Sequence, residues 1–89
     1  MESGYGRYKK VKQDVRFKIL KITSKDIMEY DINMLGKPYY IEPRNLVYLF
    51  LDIQQDYGIK IAEEYLKNQQ FATINGIASI IMRNLDKLH

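Results

Sequence analysis

Apolar residues along this chain recur with the spacing of helices and nowhere with the alternation of strands. Val11, Val15, Ile19 and Ile22 follow at steps of four, four and three and make one helical face. Phe17 and Leu20 are further apolar positions, and lysines and arginines fill the opposite side. This predicts a first helix running from near Arg7 to Ile22. The clearest stripe is Leu46, Leu49, Phe50, Ile53 and Tyr57, at i, i+3, i+4, i+7 and i+11. Glu42-Pro43 marks its start, because proline suits the first helical turn and an acidic residue suits the positive helix N-terminus. Gly58 marks its end as a left-handed cap. Ile59 and Ile61 form an extended pair that can plug into a core, and Ala62 to Asn68 can make one or two helical turns with Tyr65 and Leu66 inward. Thr73 reads as an N-cap. Behind it Ile74, Ile77, Ala78, Ile81, Leu85 and Leu88 form the last stripe. Gly76 lies in the first turn of that helix, where glycine costs roughly 1 kcal/mol relative to alanine.

A long connection, about Thr23 to Ile41, separates the first two helices. Ser24-Lys25-Asp26 can start a turn. Ile27, Met28, Ile32, Met34 and Leu35 are apolar without a period, as expected of side chains that tack a loop onto a core. Leu35-Gly36-Lys37-Pro38 is a stop signal, since glycine bends the chain and proline cannot continue a helix. A loop this long in so small a chain tends to be functional or packed by its own side chains. The pattern predicts an all-α fold: a bundle of three long helices plus one short helix, with the long loop between helices one and two. It forms a single domain over residues 7–89 behind a flexible segment 1–6.

Composition narrows the function classes. The chain has no cysteine, which excludes disulfides, a thiolate nucleophile and cysteine-ligated zinc. Its one histidine, His89, leaves no histidine-based triad or metal cluster. No apolar run approaches the ~20 residues of a membrane span, and the polar start lacks the apolar stretch of a signal peptide. A soluble, cytoplasmic protein without a resident metal is expected. The net charge is +3 and uneven. Arg7, Lys9, Lys10, Lys12, Arg16, Lys18, Lys21 and Lys25 crowd the first 25 residues, opposed there only by Glu2 and Asp14. Such a segment can meet nucleic acid, anionic lipid or an acidic protein surface, although the solvated face of a helix is its commoner origin. Glu63-Glu64 and the pair Asp52 and Asp56 read as solvated acids rather than acid-base machinery. Met28, Met34 and Met82 read as core fillers. Tyr5 and Tyr8 lie among basic residues, yet no nucleic-acid module's spacing is present and amphipathic edge packing is favoured.

Two segments carry a resemblance. Leu46-Val-Tyr-Leu-Phe-Leu-Asp-Ile-Gln-Gln-Asp-Tyr-Gly-Ile-Lys-Ile61 resembles the second helix of acyl carrier proteins, with its polar end, aromatic, small residue and Ile-x-Ile segment. Phe71-Ala-Thr-Ile-Asn-Gly-Ile-Ala-Ser-Ile-Ile81 is similar to that family's closing segment, where a Thr-Val or Thr-Ile pair opens the last helix. Leu35-Gly36 looks like the Leu-Gly before the family's attachment motif. The resemblance covers roughly Leu35 to Leu85 and implies an acyl carrier protein-like bundle.

The chain departs from the family where its chemistry lies. The family motif is Asp-Ser-Leu at the start of the second helix, and its serine takes the phosphopantetheine. Counting back from Tyr57 and Gly58 puts Pro43 at that place, between Glu42 and Arg44. No serine occurs between Ser24 and Ser79, and Ser3, Ser24 and Ser79 do not fit the position. Phosphopantetheine is therefore not expected. The basic charge also contrasts with the strongly acidic carriers, so partners of an ordinary carrier should match this chain poorly. A clostridial-type group of acyl carrier-related proteins of peptide maturation systems lacks the same serine, and the helix ending in Asp-Tyr-Gly-Ile-Lys-Ile is similar to it. That implies a non-catalytic adaptor or recognition subunit whose protein partner is a peptide-modifying or synthase enzyme. Tyr39, Tyr40, Arg44 and Tyr48 are the partner-binding candidates, because they lie where a carrier meets its partners. Two alternatives stay open: a carrier with an unconventional attachment site, and a basic helical nucleic-acid binder.

Overall fold

The computed structural model describes residues 4–67 and 70–87, with side chains from residue 6. Glu2, Ser3, Asn68, Leu88 and His89, and the side chain of Tyr5, lie outside what is described. The helices are α1 (Gly4–Thr23), α2 (Pro43–Tyr57), α3 (Glu64–Lys67) and α4 (Ile74–Lys87), with a single 3₁₀ turn at Gln70–Ala72. No strand occurs among the described residues. α1 starts at Gly4, ahead of Arg7, and Tyr8 supplies a reason. Its hydroxyl lies 3.2 Å from both the Asn75 carbonyl oxygen and Ser79 Oγ, and the Lys12 ammonium sits 4.5 Å from its ring centroid. The first turns of α1 are thereby held on α4. Tyr8 packs at the core's edge, as the amphipathic reading expects.

The sequence stripes become the core. Val11, Val15 and Ile19 of α1 meet Leu46, Leu49, Phe50 and Ile53 of α2 and Ile74, Ile77, Ala78, Ile80 and Ile81 of α4 in one buried cluster. Phe50 and Phe71 meet edge to face, with centroids 5.5 Å apart. Ile59 and Ile61 are buried, and Tyr65 and Leu66 are half-buried. Among the described residues no polar side chain is buried, and no buried side-chain nitrogen or oxygen lacks a partner. Burying a Leu or Ile is worth about 1.5–3 kcal/mol each, so apolar shape dominates the packing.

Residues 24–42 form no helix and are stitched down instead. Ile27 and Met34 are fully buried. The Met34 N–H donates to the Ala72 carbonyl at 2.8 Å, the Ile41 N–H donates to the Met34 carbonyl at 2.8 Å, and the Asn75 N–H donates to the Tyr30 carbonyl at 2.9 Å. The Lys37-Pro38 peptide is cis. Met34 and half-buried Met82 fill the core, but Met28 does not. Met28 is 62% exposed, because the turn around buried Ile27 sends it outward beside Arg16.

Ends follow local chemistry. Gly58 caps α2 at φ 65°, donating to the Gln54 carbonyl, and the Gln54 side chain accepts the Ile61 N–H at 2.7 Å. Ser24 ends α1 at φ 62°, donating to the Leu20 carbonyl at 2.8 Å. Thr73 caps α4: its Oγ1 accepts the Gly76 N–H at 2.9 Å. A Cβ at Gly76 would run into the Gln70 carbonyl oxygen and approach Thr73 Oγ1 to 2.9 Å. Close backbone approach therefore reverses the propensity argument. Gly76→Ala should destabilise the fold by about 1–3 kcal/mol, where propensity alone implies a gain of roughly 1 kcal/mol. Urea denaturation of the two proteins decides between the signs.

Candidate functional site

Lys18 links α1 to α2 at the surface of the core. Its side chain is 11% exposed and reaches across to α2. Its ammonium donates to Asp52 Oδ2 at 3.0 Å and pairs with Asp56 Oδ2 at 2.8 Å, with Asp14 Oδ2 at 4.0 Å. The Tyr57 hydroxyl donates to Asp14 Oδ2 at 2.7 Å. Burial disfavours the Lys18 charge, but the bonds to Asp56 and Asp52 and the field of Asp14 prevail and hold its pKa above the ordinary lysine value. Burial first, and then the bond to Asp14, push the Tyr57 hydroxyl up as well. Asp52 and Asp56 keep one side in solvent, as the sequence suggests, yet they also clamp a lysine of another helix. The signal was the i, i+4 spacing of Asp14 with Lys18 and of Asp52 with Asp56.

Beyond this clamp, the end of α1 and the start of α2 enclose a cleft of about 250 Å³ lined by Thr23, Lys25, Tyr40, Ile41, Glu42, Arg44 and Asn45. Pro43 is the first residue of α2 and is exposed. Glu42 precedes it with extended backbone and makes no side-chain cap. Its carboxylate accepts from Arg44 Nε at 2.6 Å instead. Lys25 Nζ donates to the Tyr39 carbonyl at 2.6 Å. Thr23 Oγ1 donates to the Ile19 carbonyl at 2.8 Å and accepts the Lys25 N–H at 3.1 Å, so this hydroxyl serves the end of α1. Tyr40 sits at φ 47°, a left-handed conformation that costs a residue with a side chain roughly 1–2 kcal/mol. Its N–H donates to the Gly36 carbonyl at 2.9 Å and its neighbour Ile41 is buried, which holds it there with the ring 57% exposed.

Of the sequence candidates, Tyr40, Glu42 and Arg44 come together at the cleft. Tyr39 does not line it: the side chain is half-buried against the core and its hydroxyl donates to Glu29 Oε1 at 2.9 Å. Tyr48 lies further along α2, 56% exposed on the outer face. Val47 and Leu51 are exposed there too, and with Arg44 and Tyr48 they make a second stripe at 44, 47, 48 and 51. The sequence carried that spacing, but the stronger core stripe masked it. The cleft and stripe offer an exposed aromatic ring, an ion pair and apolar side chains, a composition suited to contact with another chain.

Among the described residues, no group of three or more His, Cys, Asp or Glu could hold a metal ion, and no helix is long and apolar enough to cross a membrane. No model of a known protein family matches the chain, and no curated protein or solved structure matches it.

The clamp predicts an alkaline limb of stability. Lys18 and Tyr57 are both raised above their ordinary values of 10.5 and 10.0. Their contribution is complete below those values and is lost as pH rises through the higher folded ones. The denaturation midpoint should fall once pH passes about 10, and Tyr57→Phe should flatten that fall. An unchanged alkaline slope in Tyr57→Phe would show that the hydroxyl takes no part.

Proposed function

We propose that the chain is an acyl carrier-shaped binding protein without carrier chemistry, an adaptor or recognition subunit that works beside a peptide-modifying enzyme in a peptide maturation system. The observation that carries this reading is Pro43. It opens α2, the place where the resemblance sets the phosphopantetheine serine, and its neighbours Glu42 and Arg44 bond to each other. Proline keeps the helix start, since the first helical turn needs no N–H there, and it removes the hydroxyl that a carrier requires. The element order supports the same reading: a long helix, a long packed loop, a second helix ending at Gly58, a short helix, and a last helix capped by Thr73. The exposed Tyr40, Tyr48 and Arg44 supply contact chemistry around that helix start.

The test is incubation with coenzyme A and a broad-specificity phosphopantetheinyl transferase, read by intact mass. An unchanged mass is expected. A phosphopantetheine adduct would replace this reading with a carrier that uses an unconventional residue.

A further inference from the structure

α1 presents a second face that the bundle leaves uncovered. Phe17 is 59% and Leu20 39% exposed, one turn apart on the same face of α1. With Gln13, Arg16 and Asp26 they line a recess of about 340 Å³, room for a bulky side chain. The recess is electrically balanced within itself. Arg16 donates from Nε and Nη2 to the two Asp26 oxygens at 2.6 and 2.8 Å, and Nη2 also faces the sulfur of exposed Met28. The surroundings are not balanced. Lys9 stands four residues before Gln13 and Lys21 four residues after Phe17, so each lies one turn along the same outer side, and both are exposed. The one acid within α1, Asp14, is engaged with Tyr57 and Lys18 on the α2 side. The outer face of α1 is therefore an apolar recess flanked by cations.

We infer that this face docks an acidic amphipathic segment of a partner protein, which seats one bulky apolar side chain between Phe17 and Leu20 and sets carboxylates against Lys9 and Lys21. The inference deepens the binding role proposed above by naming a surface and the chemistry of its partner. Nucleic acid fits less well, because the only arginine of the recess is already held by a carboxylate in both donor directions, and phosphate tracking needs a run of available cations. An anionic membrane fits less well, because Asp26 would be carried to the headgroups with the apolar residues, and the recess is concave where a lipid surface is flat.

The test selects from a random peptide display library against the full-length chain, then measures labelled synthetic copies of the enriched peptides by fluorescence anisotropy. Enriched peptides should carry net negative charge and a bulky apolar residue. Their binding should weaken with salt. Phe17→Ser, and separately Lys9→Glu with Lys21→Glu, should each cost at least about tenfold in affinity. Gln55→Ala, at an exposed position of α2 away from this face, should leave binding unchanged. Circular dichroism checks that the variants remain helical, which is expected because Phe17, Lys9 and Lys21 are exposed. Parallel arms use phosphatidylcholine–phosphatidylglycerol vesicles and a duplex of about 20 base pairs. The inference is overturned by a selection without acidic bias, by no enrichment, by peptides indifferent to Phe17→Ser, or by vesicles or duplex binding more tightly through the same residues. Its failure leaves the absence of carrier chemistry standing, whereas a phosphopantetheine adduct removes that reading without touching this surface.

Discussion

A segment without a helix of its own has no helical ladder to pair its backbone donors and acceptors, and leaving such groups buried and unpaired costs free energy comparable to a lost hydrogen bond. Residues 24–42 meet that constraint through turns of their own, with the Tyr39 and Tyr40 N–H groups both on the Gly36 carbonyl, and through Met34. Its side chain is fully buried, its N–H reaches the Ala72 carbonyl, and its carbonyl receives the Ile41 N–H. One residue thereby ties the middle of the loop to the 3₁₀ turn before α4 and draws the loop's end back to its middle. The Tyr30 carbonyl, receiving the Asn75 N–H, adds a second tie to the start of α4. Once Ile41 is seated in the core, Glu42 and Pro43 must start α2 at the surface, and Tyr40 is held in its left-handed conformation just before them.

Both uncovered surfaces depend on that anchoring. The cleft at the start of α2 takes Tyr40, Ile41 and Glu42 from the loop's end. The recess on α1 takes Asp26 from its beginning, with Met28 beside it. Ile27 is fully buried, and its neighbours on either side are consequently turned outward. An apolar anchor thus positions a charged group and a thioether where α1 can use them. The same loop reaches the outer face of α1 with Asp26 and Met28 and still leaves Phe17 and Leu20 exposed.

Helix identity was legible in the sequence because each helix buries one stripe, and a period near 3.6 survives in the order of residues. Pro43, Gly58 and Thr73 were legible because their roles are local. What was not legible depended on distances between elements. Asp52 and Asp56 show an i, i+4 pair, but that Lys18 fits between them requires the register of α1 on α2. Gly76 shows a weak helix former, while its use is to let the Gln70 carbonyl pass close to α4. Met28 shared its composition with Met34 and not its fate, since an aperiodic loop gives no rule for which side chain turns in. Tyr39 and Tyr40 are adjacent and equal as residues, yet one hydroxyl goes to Glu29 and the other ring to solvent, a split set by the backbone turn between them.

The clamp also bears on how a partner is chosen under the proposed reading. In acyl carrier proteins the acids of the second helix are what basic enzyme surfaces recognise. The acids of α2 here are Asp52 and Asp56, and both share the Lys18 ammonium. A basic partner approaching them would meet carboxylates whose charge is partly cancelled and would compete with an ion pair that orders the bundle. The outer face of α2 offers Arg44, Val47, Tyr48 and Leu51 instead, and the outer face of α1 offers Lys9, Phe17, Leu20 and Lys21. Under that reading, acids engaged by a lysine, with aromatics and cations on the outer faces, set this surface apart from that of an acidic carrier. Under the same reading, a partner that complements these faces brings apolar side chains and negative charge, and charge works against the enzymes that read ordinary carriers.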